Sequence, residues 1–173
     1  MNFARLFIVF VLFAWRADAQ PTISFTFDDG ITNDLPGYTF EIWNEMLLDH
    51  LDEAGVKSIL FSTGNNKEDK KGQFLLKSWN DREHRIGNHT FSHLNYNSKQ
   101  VTFTQFEEDF LKNDSLIRTY SNYIPLFRFP YLKEGDTREK VESFRMLMKT
   151  HNYQNGHVTI DASDWYIESR LRS

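Results

Sequence analysis

The chain has 173 residues, a formal net charge of −4 and no cysteine. This length fits one domain of about 100–200 residues. The charge provides no basic field for nucleic acid. The lack of cysteine excludes a disulfide framework, a thiolate zinc site and a cysteine nucleophile.

Residues 1–19 read as a signal peptide. Arg5 is the positive start, Leu6 to Trp15 is a short apolar run, and Ala17-Asp18-Ala19 is an A-x-A cleavage site. The run is below the roughly 18 residues of a membrane span, so no stable span is expected in the mature chain. The protein is expected to be exported, to the periplasm or outside the cell, as a mature domain over 20–173.

That domain alternates strand and helix. Thr22–Phe27 is β-branched and aromatic and predicts a buried strand. Ile42, Trp43, Met46, Leu47, Leu51 and Ala54 recur at helical spacing and predict a helix over Glu41–Ala54, with Gly55 as its stop. Val56–Ser62 predicts a second strand, and Asn65–Gly72 a charged loop. A helix over Gln73–Asp81 and a strand at Arg85–Gly87 follow. Thr104 and Glu107 have the spacing of a capping box for a helix running to about Tyr120. Pro125–Phe129 is the fourth expected strand. Asp136 and Glu139 cap a helix carrying Val141, Phe144 and Met148, and His157–Asp161 is the fifth strand. The 16 Phe can fill a core or line a sugar-stacking cleft.

This alternation predicts an α/β fold with a parallel sheet. Polar groups recur at the C-terminal ends of its strands, where such folds place their chemistry. Asp28-Asp29-Gly30 follows strand one, and His89 and His93 follow strand three. Arg128 to Tyr131 close strand four, and Asp161, Asp164 and Trp165 follow strand five. Each group has an ordinary explanation alone. Asp-Asp-Gly makes turns, HxxxH can be two surface histidines, Arg128 a surface charge, and Asp164 a helix cap beside a core tryptophan. Two histidines and one aspartate also form a common three-ligand metal site. Adjacent carboxylates at a strand end point in different directions, so one can bind metal while the other stays free as a base. No glutamate follows the first histidine, so the zinc-peptidase motif HExxH is absent. His50, His84, His151 and His157 lack spaced partners and read as structural or exposed.

Together these residues resemble the polysaccharide deacetylase family, the NodB-homology domain of carbohydrate esterase family four. Thr26-Phe27-Asp28-Asp29-Gly30 matches TFDDG, and His89-Thr90-Phe91-Ser92-His93 matches H-[ST]-x-x-H. Arg128-Phe129-Pro130-Tyr131 matches R-x-P-Y, and Asp161-Ala162-Ser163-Asp164-Trp165 matches D-x-x-D-W. The resemblance implies a distorted (β/α) barrel. It also implies metal-dependent hydrolysis of N-acetyl groups on a polymer such as peptidoglycan or chitin, releasing acetate. The ligands would be Asp29, His89 and His93, holding zinc, with cobalt, nickel or manganese compatible. Asp28 would be the base, oriented by Arg128, with Asp164 balancing Arg128. The backbone N–H of Tyr131 would stabilise the oxyanion, and Trp165 would wall the pocket. The family's later L-x-H motif has no match, so the domain is expected to lack its C-terminal part. The alternatives are a non-catalytic carbohydrate-binding relative, an O-acetyl xylan esterase, or another amide hydrolase of the same family.

Overall fold

A computed structural model describes residues 22–65 and 67–171. The expected signal peptide, residues 1–19, lies outside them. Five strands form one sheet: β1 (Thr26–Asp29), β2 (Ile59–Ser62), β3 (Arg85–Asn88), β4 (Tyr123–Phe127) and β5 (Gln154–Asn155). All neighbours are parallel, in the order β1-β2-β3-β4-β5. The helices are α1 (Phe40–Glu53), α2 (Lys70–Asp81), α3 (Phe103–Ile117), α4 (Arg138–Thr150) and α5 (Asp164–Leu171). Parallel crossovers are nearly always right-handed. An unreversed strand order therefore keeps the helices on one face, as in a barrel wall. Among the described residues no helix is long and apolar enough to cross a membrane.

Several expected boundaries move, because neighbours decide them. The first strand begins at Thr26, where β2 lies alongside in register, not at Thr22. Ile23 and Phe25 are exposed. The buried side of α1 is set by Phe40, Asn44, Leu48 and Leu51, which leaves Ile42 and Met46 exposed. Gly55 does end α1, at φ +66. The last three residues of the expected charged loop are helical: α2 starts at Lys70, where Asp69 accepts the Gly72 N–H at 2.8 Å. The capping box of α3 is formed by Thr102 and Gln105, not Thr104 and Glu107. The Gln105 N–H donates to Thr102 Oγ1 at 3.3 Å and the Thr102 N–H donates to Gln105 Oε1 at 2.9 Å, so the helix begins at Phe103. Thr137 caps α4, while Asp136 pairs with Lys140 at 2.8 Å.

The largest correction is the fifth strand. It is Gln154–Asn155, paired with Leu126 and Phe127, and residues 157–161 form no strand. Gly156 allows the close approach. Its N–H reaches Phe127 O at 2.7 Å, and a Cβ there would lie 2.4 Å from the Phe61 ring. The β-branched run after it meets no neighbouring strand, and Ile160 is 85% exposed.

Two core clusters pack the helices onto the sheet. Phe40, Leu48, Leu60, Leu75, Leu76, Trp79 and Ile86 pack α1 and α2 onto β2 and β3. The second core is aromatic: Tyr96, Phe106, Phe110, Phe127, Phe129 and Phe144 pack α3 and α4 onto β4. Tyr96 and Phe106 stack at 4.1 Å, and Phe110 meets Phe127 edge-on at 5.3 Å. Much of the aromatic content is therefore core.

Candidate metal centre

The C-terminal ends of β1, β3 and β4 bring Asp28, Asp29, His89, His93 and Arg128 together. Asp29 ends β1 at φ 68, and Gly30 follows at φ +66. A side chain on Gly30 would press on Leu75 at 2.8 Å, so the chain can turn there only with glycine. The Asp29 carbonyl is held by Thr63, whose N–H and hydroxyl donate at 3.2 and 3.0 Å.

Asp29, His89 and His93 offer ligand atoms that all lie within 4.8 Å of one another. Asp29 Oδ1 is 3.5 Å from His89 Nε2 and 3.3 Å from His93 Nε2. Oδ1 is buried and makes no hydrogen bond. Leaving such an atom unsatisfied costs about 1–3 kcal/mol. A divalent cation among these three atoms removes that cost, and one carboxylate with two imidazoles suits zinc and its neighbours in the first transition row. His89 Nδ1 donates to Arg128 O at 2.8 Å, which leaves Nε2 as the free lone pair. Burial, against the pull of Asp28 and Asp29, lowers the His89 pKa and keeps the imidazole neutral, the form that binds metal.

Asp28 faces the other way. Its Oδ1 accepts from Arg128 at 2.6 Å. Arg128 also donates to Thr26 Oγ1 at 2.8 Å and Gly156 O at 2.9 Å, and its guanidinium lies 4.0 Å over the Phe61 ring. Arg128 is 5% exposed and Asp28 36%, so the carboxylate reaches solvent from an anchored cation. Tyr131 sits at φ 56 with its ring 4.5 Å from that of His93, and it is 57% exposed.

The structure does not bring Asp164 or Trp165 to this cluster. Arg128 pairs with Asp28, and Asp164 and Trp165 are exposed at the start of α5. Asp164 Oδ1 turns back to its neighbour's N–H at 2.8 Å. With no strand at 157–161, nothing carries this motif inward. Of the other histidines, His84 is buried against Trp79, and His157 lies beside Arg128 in a small cavity of about 40 Å³ with Phe129, Leu132 and Glu134.

Two features escaped the sequence reading. Lys67 is 3% exposed, and its Nζ donates to Asn65 O at 3.1 Å. Burial pushes its ammonium down to about 8, against the opposing pull of Asp29 and Asp69. It sits in a run of charges that looks solvated in sequence. The second feature is a polar stripe inside α3, visible only as Asp109, Asn113 and Asp114 at the same helical spacing as Phe106, Phe110 and Ile117.

The chain is similar to several known proteins. The family model described as polysaccharide deacetylase matches residues 16–150. The chain is 28% identical over 144 residues to the peptidoglycan-N-acetylglucosamine deacetylase of Bacillus cereus, covering 83% of this chain and 46% of that protein. It thus spans about half the length of that curated relative. A CE4 family pseudoenzyme from Bacillus anthracis superposes with a TM-score of 0.62 at 18% identity, over 83% of this chain and 45% of the other. The chitin deacetylase of the fungus Colletotrichum lindemuthianum superposes with a TM-score of 0.61 at 20% identity, over 83% and 57%. These likenesses share the α/β architecture of a distorted barrel.

Proposed function

The chain belongs to the polysaccharide deacetylase family, and on that premise we propose that it removes acetyl groups from N-acetylglucosamine in a glycan polymer by metal-dependent hydrolysis. The observation that carries this reading is the buried, unpartnered Asp29 Oδ1 facing two imidazole nitrogens, beside a second carboxylate, Asp28, that is held by Arg128 and reaches solvent. Asp29, His89 and His93 would hold the ion, zinc being the first choice with cobalt, nickel or manganese compatible. A divalent ion bound there acidifies a water and polarises a carbonyl.

This chain's own residues do the rest. Asp28 takes the proton of the attacking water. Arg128, fixed by Thr26 and Gly156, keeps that carboxylate aimed. The left-handed turn at Tyr131 offers its N–H to the oxyanion of the tetrahedral intermediate, and the exposed Tyr131 ring gives a sugar a face to rest on. The C–N bond then breaks as the nitrogen takes a proton from solvent, releasing acetate and a free amine. Peptidoglycan, with chitin beside it, is the first substrate to try, because relatives with those names share this chain's fold. Export in the mature form 20–173 fits such an extracellular polymer.

A glycan-binding relative without catalysis is the second reading. The exposure of Asp164 and Trp165, away from Arg128, favours it. Acetate release from peptidoglycan, chitooligosaccharides and acetyl-xylan, with zinc or cobalt added after chelation, separates the readings. Acetate from an N-acetyl glycan, lost in His93→Ala, supports the deacetylase. Glycan binding with no acetate from any substrate supports the binder, and acetate from acetyl-xylan alone makes the protein an O-acetyl esterase.

A further inference from the structure

Helix α3 buries Phe106, Asp109, Phe110, Asn113, Asp114 and Ile117 along one face. Half of this face is polar, which is costly unless every group finds a partner. Asp114 finds Tyr153 and Arg118, at 2.5 and 2.9 Å. Asp109 and Asn113 find the loop that carries the two histidines.

Both Asp109 oxygens accept from the Ser92 N–H, at 3.1 and 2.9 Å, and the Asp109 carbonyl accepts from the Phe91 N–H at 3.1 Å. Asn113 Nδ2 donates to Ser62 O at 2.8 Å and to Asn88 Oδ1 at 2.9 Å. Those same two acceptors receive the N–H groups of His89, at 3.1 Å, and Thr90, at 2.8 Å. The backbone from His89 to Ser92 is therefore tied to α3 directly or through one shared acceptor. Asn113 Oδ1 is buried without a partner, so packing alone does not favour asparagine there, and its Nδ2 bonds do.

The loop needs this support. Thr90 and His93 lie at φ 62 and 57, a region disfavoured for any residue but glycine and most of all for a β-branched one. Ser92 is exposed, so water can satisfy its N–H once Asp109 is gone. A freed loop relaxes away from the left-handed turns, and the two Nε2 atoms no longer converge on Asp29.

We propose that Asp109 and Asn113 are positioning residues of the metal centre, holding the histidine loop in the strained shape that makes it a ligand pair. The proposal rests on the metal reading above. Residues behind metal ligands typically change affinity by about 10–100-fold when removed.

The test is a titration of the metal-stripped full chain with Zn²⁺ and Co²⁺, read as the dissociation constant and as the Co²⁺ absorption spectrum. Asp109→Ala and Asn113→Ala should bind about 10–100-fold more weakly, with an altered Co²⁺ spectrum. Asp109→Asn keeps an acceptor oxygen and should recover part of the loss. It also carries the test if the alanine variant does not fold. Phe144→Leu weakens the aromatic core on α4 and serves as the control. It should melt lower yet bind metal as the parent does. Unchanged affinity in Asp109→Ala and Asn113→Ala would overturn the proposal. So would an equal loss of affinity in Phe144→Leu at an equal drop in melting temperature. If the parent chain itself binds neither ion, the metal reading fails first, and this inference fails with it.

Discussion

Asp28→Asn separates the two carboxylates of the site by their different surroundings. The substitution keeps the shape of the side chain and removes its charge, opposite a guanidinium that is only 5% exposed. Removing one partner of a fully buried ion pair costs about 3–5 kcal/mol. Asp28 is 36% exposed, so water screens part of the pair. Arg128 also keeps its bonds to Thr26 Oγ1 and Gly156 O and its place over Phe61. The expected loss is therefore smaller, about 1–3 kcal/mol. For a domain of this size that lowers the melting temperature by about 2–12 °C. Metal affinity should hardly change, because the unpartnered oxygen facing the histidines belongs to Asp29. Acetate release should stop. Thermal unfolding by circular dichroism, metal titration and an acetate assay read the three effects on one sample. The reasoning is refuted if Asp28→Asn loses the metal while Asp29→Asn keeps it, or if Asp28→Asn turns over normally.

Gly64→Ala should destabilise the fold by about 1–3 kcal/mol and weaken metal binding, by overpacking. Its Cβ would lie 2.2 Å from the Phe91 ring inside the histidine loop, and urea unfolding with a cobalt titration checks both effects. Lys67→Met should raise the melting temperature near pH 7. The folded state lowers this ammonium from 10.5 to about 8, so folding must bury an unwelcome charge below pH 8. The penalty fades as pH rises from about 8 towards 10.5, so the advantage of methionine should fade over the same window, and melts at pH 7, 9 and 10.5 test the sign. Asp164→Ala should shift stability by less than about 0.5 kcal/mol, since the residue is exposed and lies apart from Arg128. A drop of several degrees with loss of activity would restore Asp164 as the partner of Arg128.

Local pattern decided a good deal. The helical spacing before Gly55, the alternation of strand and helix, and the polar groups at strand ends are written along the chain, and each depends on residues close in sequence. The spacing of His89 and His93 belongs to the same kind of information, as does the divergence of Asp28 from Asp29, because successive strand residues point to opposite faces. Which carboxylate meets the histidines was not local. It depends on β2 and β3 lying between β1 and β4, which brings Arg128 to Asp28 and leaves Asp29 facing the loop after β3. The fifth strand was misplaced for the same reason. A β-branched run becomes a strand only beside a partner, and Gly156 fits against Phe61 where Val158 to Ile160 find none. The polar stripe of α3 looks in sequence like an interrupted core face. Only the packed structure turns it into a clamp, because the worth of a buried carboxylate or amide lies in the distant N–H groups that its neighbours bring to it.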